Sequence, residues 1–241
     1  MAVVLRKGLI SAALLLLALG AFAQRRASAD VEVKSLADGK VTTVTKRVFC
    51  QGNGRLVTVF SSPYDYTTVT NLKGEFKLYV PSSNEVFSRV DQSFGSGNEL
   101  LYLFLAGRQD NLGLLGMGYT LQGSSYDEEG YLKRTYTTKK KDGAPTVELV
   151  LKDYLPVYVA YLDHSGNVLS KMYLSQYTRG SRLVFPTRVT EVTYNKEKHD
   201  STVVRTIYSS ISTEGTDPHF DFQVPAGAKP AGNPLDAMKK K

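Results

Sequence analysis

One cysteine, Cys50, in 241 residues leaves no internal disulfide to build. The fold must therefore be held by its core, and Cys50 reads as a small buried strand residue rather than a reactive thiol. Tryptophan is absent and histidine nearly so: His164 lies in a turn, His199 beside Lys198 and Asp200 in a charged loop, and His219 after Pro218. None of the three is paired at the short spacing of a zinc site. The chain also lacks a G-x-S-x-G elbow, a Cys/His signature around Cys50 and a phosphate-cradling glycine loop. Gly95-Ser96-Gly97-Asn98 reads as a flexible entry to a helix, and Asp127-Glu128-Glu129 beside Gly130 as a hairpin tip. The sequence thus offers no catalytic, cofactor-binding or metal-binding constellation, and the expectation is a non-enzyme that needs no cofactor.

Beyond the N-terminus there is no long uninterrupted apolar run. The one at the start, Leu9 to Leu19, follows Arg6 and Lys7 and precedes the small-x-small site Ala21-Phe22-Ala23. That is the pattern of a cleaved secretory signal, and the run falls short of the roughly 20 residues a spanning helix needs. A second candidate cut follows Ala27-Ser28-Ala29. The expected organisation is a signal peptide over residues 1–23, a single domain over 24–228 and a basic flexible tail over 229–241, in an exported periplasmic protein. Loss of Arg6 and Lys7 lowers the net charge of +7 by two. The remaining excess is scattered; its densest runs, Lys139-Lys140-Lys141 before Asp142-Gly143 and the terminal Lys239-Lys240-Lys241, read as a turn and a chain end. Neither forms a nucleic-acid-binding stripe.

What is abundant is β-forming residues. From Val31 onward, β-branched and aromatic runs alternate with Gly, Asn, Asp and Pro, as in consecutive hairpins. Val31 to Phe49 reads as strand, turn at Asp38-Gly39-Lys40, strand. Val41–Phe49 and Arg55–Phe60 flank the turn Gln51-Gly52-Asn53-Gly54. Phe76, Leu78 and Val80 alternate with Lys77 and Tyr79 up to a turn at Pro81–Asn84, and Val147, Leu149 and Leu151 share one face. Phe220, Phe222 and Val224 predict a final strand ending at Pro225. Val157–Leu162 and Met172-Tyr173-Leu174 are apolar on both faces, so either protein covers both sides or one side lines a cavity.

The exception is residues 98–117. Asn98 can cap a helix through Leu100, Leu101, Leu103, Phe104 and Leu105, which Gly107 ends or bends, and a second turn can start at Asp110 and carry Leu112, Leu114, Leu115 and Met117. Such a segment is apolar around most of its circumference. It must be buried on nearly all sides or lie across an apolar hollow.

Two regions resemble the outer-membrane lipoprotein carrier and sorting family, LolA-like, in its divergent Bacteroidetes-type form. The first is Pro63 followed by Gly74-Glu75-Phe76-Lys77-Leu78-Tyr79-Val80-Pro81 with Asn84-Glu85-Val86. The second is Phe185-Pro186-Thr187-Arg188 together with Phe220–Ala228. The resemblance implies a mainly β fold with few helices: an unclosed antiparallel β-barrel, a curved sheet covered by short helices around an apolar cavity. It further implies a periplasmic carrier that binds the acyl chains of lipoproteins, or another lipid, for transfer towards the outer membrane. The partners so implied are lipid or acylated lipoprotein cargo and inner- and outer-membrane sorting components, with no nucleic acid and no membrane span. A non-catalytic envelope sensor or protein-interaction module on the same fold is the alternative. Facing and composition select Phe76, Leu78, Leu101, Phe104, Leu105, Val159, Tyr161 and Tyr173 as candidate cavity residues. The departure from the family is at the start, where a strand pair stands in place of an amphipathic helix.

Overall fold

The computed structural model describes residues 25–140, 143–178, 182–195 and 200–232. The expected signal peptide and His199 lie outside these residues. The first six strands run β1 (Arg26–Ala37), β2 (Lys40–Gln51), β3 (Leu56–Ser62), β4 (Tyr66–Thr70), β5 (Glu75–Val80) and β6 (Glu85–Val90). After a connection carrying helix α1 (Leu100–Leu105) come β7 (Thr120–Tyr126), β8 (Leu132–Thr137), β9 (Thr146–Lys152), β10 (Leu155–Leu162), β11 (Val168–Tyr177), β12 (Pro186–Asn195), β13 (Asp200–Ser212) and β14 (Lys229–Pro230).

These 14 strands form one sheet, ordered β14-β6-β5-β4-β3-β2-β1-β13-β12-β11-β10-β9-β8-β7. Two meanders thus meet where β1 pairs with β13, and every pairing is antiparallel except the short parallel contact of β14 with β6. Turn chemistry sets the hairpins. Asp38 and Gly39 take positive φ between β1 and β2, as a tight two-residue turn requires, and Asn84 does so before β6.

The sheet does not close into a barrel, but it must curve. Leu56 on β3 and Leu132 and Tyr136 on β8 belong to one buried cluster, together with all of α1's large side chains except the half-buried Leu100 at its edge. Eight strand spacings separate β3 from β8, about 38 Å in a flat sheet, while a six-residue helix is about 9 Å long. Only a concave sheet brings these groups around one helix. Bulges near Ser28, Thr45, Leu121, Pro156 and Tyr161 supply local bending.

A smaller cluster sits on the convex face. There Phe220 packs against Phe49 (ring centroids 5.4 Å apart) and Val57, with Phe222 alongside. The strand expected over Phe220–Val224 is instead a 3-10 turn, Pro218–Asp221, followed by extended chain. Its backbone is satisfied by side chains: Gln51 Nε2 donates to the Phe220 carbonyl at 2.6 Å, and Arg55 to those of Phe220 and Phe222. Long polar side chains from β2 and its turn therefore occupy the place of a ladder partner. Just beyond Ala228, Lys229 and Pro230 pair with Glu85 and Val86.

Candidate ligand-binding hollow

The connection between β6 and β7, residues 91–119, starts beside one edge of the sheet and ends at the other, so it must cross the concave face. Its start is tied down. Gly74 has φ 74 and a Cβ there would lie 2.3 Å from the Asp91 carbonyl oxygen, so only glycine admits this close approach. Asp91 accepts from the Ser93 amide at 2.9 Å, which together with the Ser93 hydroxyl holds its carboxyl below the usual carboxylate range. Ser96 is buried; its hydroxyl donates to the Gly54 carbonyl and its amide to that of Asn71. The Gly95–Asn98 stretch is therefore a backbone tie that delivers the chain to α1.

Helix α1 forms where the sequence places it, with a shifted boundary. It covers Leu100–Leu105 with Glu99, not Asn98, at its N-terminal boundary, and Asn98 closes a preceding 3-10 turn. Gly107 at φ 71 ends it, with Arg108 N–H donating to the Leu103 carbonyl at 2.7 Å. The second turn expected from Asp110 forms as irregular turns rather than a helix, with Met117 N–H donating to the Gly113 carbonyl at 3.2 Å. Leu112 and Gly113 take positive φ there, and Asn111 Oδ1 accepts from the Gly113 amide. The side-chain acceptor competes with helical pairing at this point.

Between this strap and β10–β13 lies a hollow of about 290 Å³. The strap contributes Ser93, Asn98, Glu99, Leu100, Leu103, Leu112 and Met117; the sheet contributes Val159, Tyr161, Met172, Val189, Glu191, Thr206 and Tyr208. Strand register explains the sheet side: Val159 faces Met172 across β10–β11, Met172 faces Glu191 across β11–β12, and Val189 faces Thr206 across β12–β13. These neighbours share the inward face. Glu191 is thereby placed among apolar side chains, and this partial removal from water raises its carboxyl above the ordinary range even though the side chain still reaches solvent in the hollow. Desolvation likewise raises the phenols of Tyr161 and Tyr208, and both feel the negative charge of Glu191.

Of the eight candidates read from the sequence, the structure brings Val159 and Tyr161 together in the hollow. Leu101, Phe104 and Leu105 sit on α1 but turn into the main cluster; Phe104 meets Phe185 at 5.1 Å and Tyr177 at 6.2 Å. Leu100 and Leu103 are the helix residues that face the hollow. Phe76 and Leu78 lie towards the other wing of the sheet, where Phe76 stacks on Phe94 at 4.6 Å and Leu78 is fully buried. Tyr173 is on the convex face against Tyr158, ring centroids 5.2 Å apart. Its neighbour Met172 faces inward instead. Glu99, Leu112, Met117, Met172, Val189, Glu191, Thr206 and Tyr208 are lining residues not among the eight. A signal existed for Glu191, which shares parity with Val189 in β12.

Elsewhere, His164 is exposed in the β10–β11 turn, and His219 stacks on Phe49 at 5.0 Å with Nδ1 2.8 Å from Asp217. Asp127 Oδ1 accepts from the amides of Glu129 and Tyr131 in the β7–β8 turn. Among the described residues no group of three or more His, Cys, Asp or Glu is gathered as metal ligands, and no helix is long and apolar enough to cross a membrane.

By sequence the chain matches no family model and no curated protein. By structure it is similar to a LolA superfamily protein from Nitrosomonas europaea, with a TM-score of 0.56 at 13% identity over 83% of this chain and 91% of that one. The chain has a LolA-like fold. A DUF1329 family protein from Desulfovibrio piger is similar to the same degree, at 0.56 and 14% identity over 81% of this chain and 89% of that one. So is a domain from Vibrio parahaemolyticus named for outer membrane lipoprotein sorting, at 0.55 and 13% identity over 80% of this chain and 87% of that one. The LolA-like sheet accounts for the open, curved architecture. The strand pair β1–β2 at its start agrees with the strand-turn-strand reading of Val31–Phe49.

Proposed function

We propose that this LolA-like chain is a non-catalytic periplasmic carrier that takes an acyl chain of a lipoprotein, or another lipid, into the hollow beneath α1 for transfer towards the outer membrane. The observation that carries the reading is the hollow itself: a concave sheet roofed by a short helix, with Leu100, Leu103, Leu112, Met117, Val159, Met172 and Val189 as its apolar lining. An acyl chain in water costs about 0.8 kcal/mol per exposed CH₂, so a lipid crossing an aqueous compartment needs such a cover. The secretory pattern of residues 1–23 and the fold shared with a protein named for lipoprotein sorting support the same reading.

At about 290 Å³ the hollow is at the lower end of the roughly 300–1,000 Å³ of small-molecule pockets. A long chain therefore requires α1 to shift, and the strap is built for that: six helical residues between Gly97 and Gly107. The test is uptake of a fluorescent acyl probe by the mature protein, together with native mass spectrometry and lipid extraction of protein recovered from a periplasm. Met172→Trp fills the hollow from the sheet side; it is expected to abolish probe uptake and leave the β-sheet circular dichroism unchanged. Absence of uptake by the unmodified protein, with no lipid extracted, would overturn the carrier reading in favour of an envelope sensor or interaction module.

A further inference from the structure

The acids elsewhere on the sheet are engaged. Asp30 lies 3.3 Å from Arg47, Glu148 is 2.8 Å from Lys133, and Asp110 is 3.6 Å from Arg134, an arginine of the inward face committed to that loop. Glu191 is different. Among the described residues no hydrogen bond or ion pair engages its carboxylate, which meets solvent in the hollow. Glu99 is a second carboxylate on the wall, while no lysine, arginine or histidine is among the described lining residues.

This asymmetry constrains the occupant. An anionic head group entering the hollow meets the like charge of Glu191 and Glu99 with no lining cation to offset it. A purely apolar chain that displaces the water around Glu191 leaves a carboxylate unsatisfied, at a cost that offsets part of the chain's burial. An ammonium group answers Glu191: its N–H donors and positive charge pair with the carboxylate that lines the hollow. The apolar residues beside it accept the attached chain.

We infer that the hollow selects amphiphiles whose acyl or alkyl chain carries a cationic amine, with Glu191 as the residue that sets this preference. The inference rests on the hollow being a ligand site, as proposed above. Two sources share this chemistry: the amino head group of a phospholipid, and the free terminal amine of an acylated peptide.

The experiment displaces a neutral fluorescent acyl probe from the mature protein with dodecylamine, dodecanol and dodecanoate, each below its micelle threshold. The expected order is amine, alcohol, carboxylate, from tightest to weakest. Glu191→Gln should weaken the amine by roughly ten-fold, the size of a lost charge-assisted hydrogen bond, and leave the alcohol within about two-fold. Glu191→Lys should reverse the order of amine and carboxylate. Lysophosphatidylethanolamine and an S-palmitoylated peptide with a free terminal amine then separate the two sources, each compared with its N-acetylated form. Equal binding of all three head groups, or dodecanoate binding tightest to the unmodified protein, overturns the charge preference while the carrier reading stands. Failure of any amphiphile or probe to bind overturns both.

Discussion

Replacing Phe104 by alanine distinguishes a helix that lifts from one that is a fixed plug. Phe104 is 5% exposed and wedged against Phe185 and Tyr177, so its removal should cost about 3 kcal/mol, the lower end for a phenylalanine truncated in a packed core. If α1 opens independently, that loss falls on the docked state alone and raises the opened population by on the order of 100-fold. The protein contains its own reporter. Cys50 is in the same cluster beneath α1, its thiol is pushed up to about 12 by burial and, secondarily, by the charge of Glu99, and it is inert while covered. Once uncovered it returns towards its ordinary 9.0, with about a thousand-fold more thiolate at a given alkaline pH below that value. Labelling by a thiol reagent at pH 8 therefore reads the opening equilibrium. The expectation is labelling of the unmodified protein at a free energy well below that of global unfolding, accelerated on the order of 100-fold by Phe104→Ala. If the protection of Cys50 equals the global unfolding free energy from denaturant melts in both proteins, α1 is a plug and the reasoning fails.

Four further outcomes follow from the same structure. Because the folded thiol holds its proton more tightly than the unfolded one, Cys50 contributes stability that is present below about pH 9 and lost as pH rises towards 12; denaturant melts across that window should show a smaller decline in Cys50→Ala. Gly74→Ala must place a methyl group against the Asp91 backbone at positive φ, and should lower stability by roughly 2 kcal/mol or more in a thermal melt. Arg26 bonds Asp221 at 2.8 Å and the Gly215 carbonyl at 3.1 Å, and its guanidinium lies 5.3 Å from the Phe220 ring. Arg26→Ala should cost about 1–2 kcal/mol and expose residues 216–222 to limited proteolysis without unfolding the sheet. On the proposed export, N-terminal sequencing of protein recovered from a periplasm should begin at Gln24: Ala27, Ser28 and Ala29 are buried in β1 opposite Cys50, Phe49 and Val48, so a cut after Ala29 would remove part of the sheet.

The hairpins were legible because their signals are local. Alternation in Phe76–Val80, the Asp38-Gly39 turn and the run around Gln51–Gly54 each specify strand or turn without reference to the rest of the chain. Two segments depart from their sequence pattern, one through distant partners and one through a side-chain bond that competes with helical pairing. Phe220 and Phe222 alternate like a strand, yet Gln51 and Arg55, more than 160 positions away in sequence, take up the carbonyls a neighbouring strand would otherwise pair. The strap has the composition of a second helical turn beyond Gly107, but Leu112 and Gly113 take positive φ and Asn111 bonds the Gly113 amide, so no regular helix starts at Asp110. The hollow was half visible. A strand apolar on both faces announces that its two sides are used differently without saying which residue turns inward, so the sequence alone does not separate Tyr173 from Met172. Glu191, a lone acid in a polar-looking strand, reads as solvent-facing until the register with Met172 is known.

The course of residues 91–119 makes the roof and the curvature of the sheet one mechanical unit. Because that connection ties the strand beside one margin of the sheet to the strand at the opposite margin, it acts as the string of a bow whose limbs are the two meanders. The roof of the hollow and the two wings of the sheet are thus joined by a single stretch of chain.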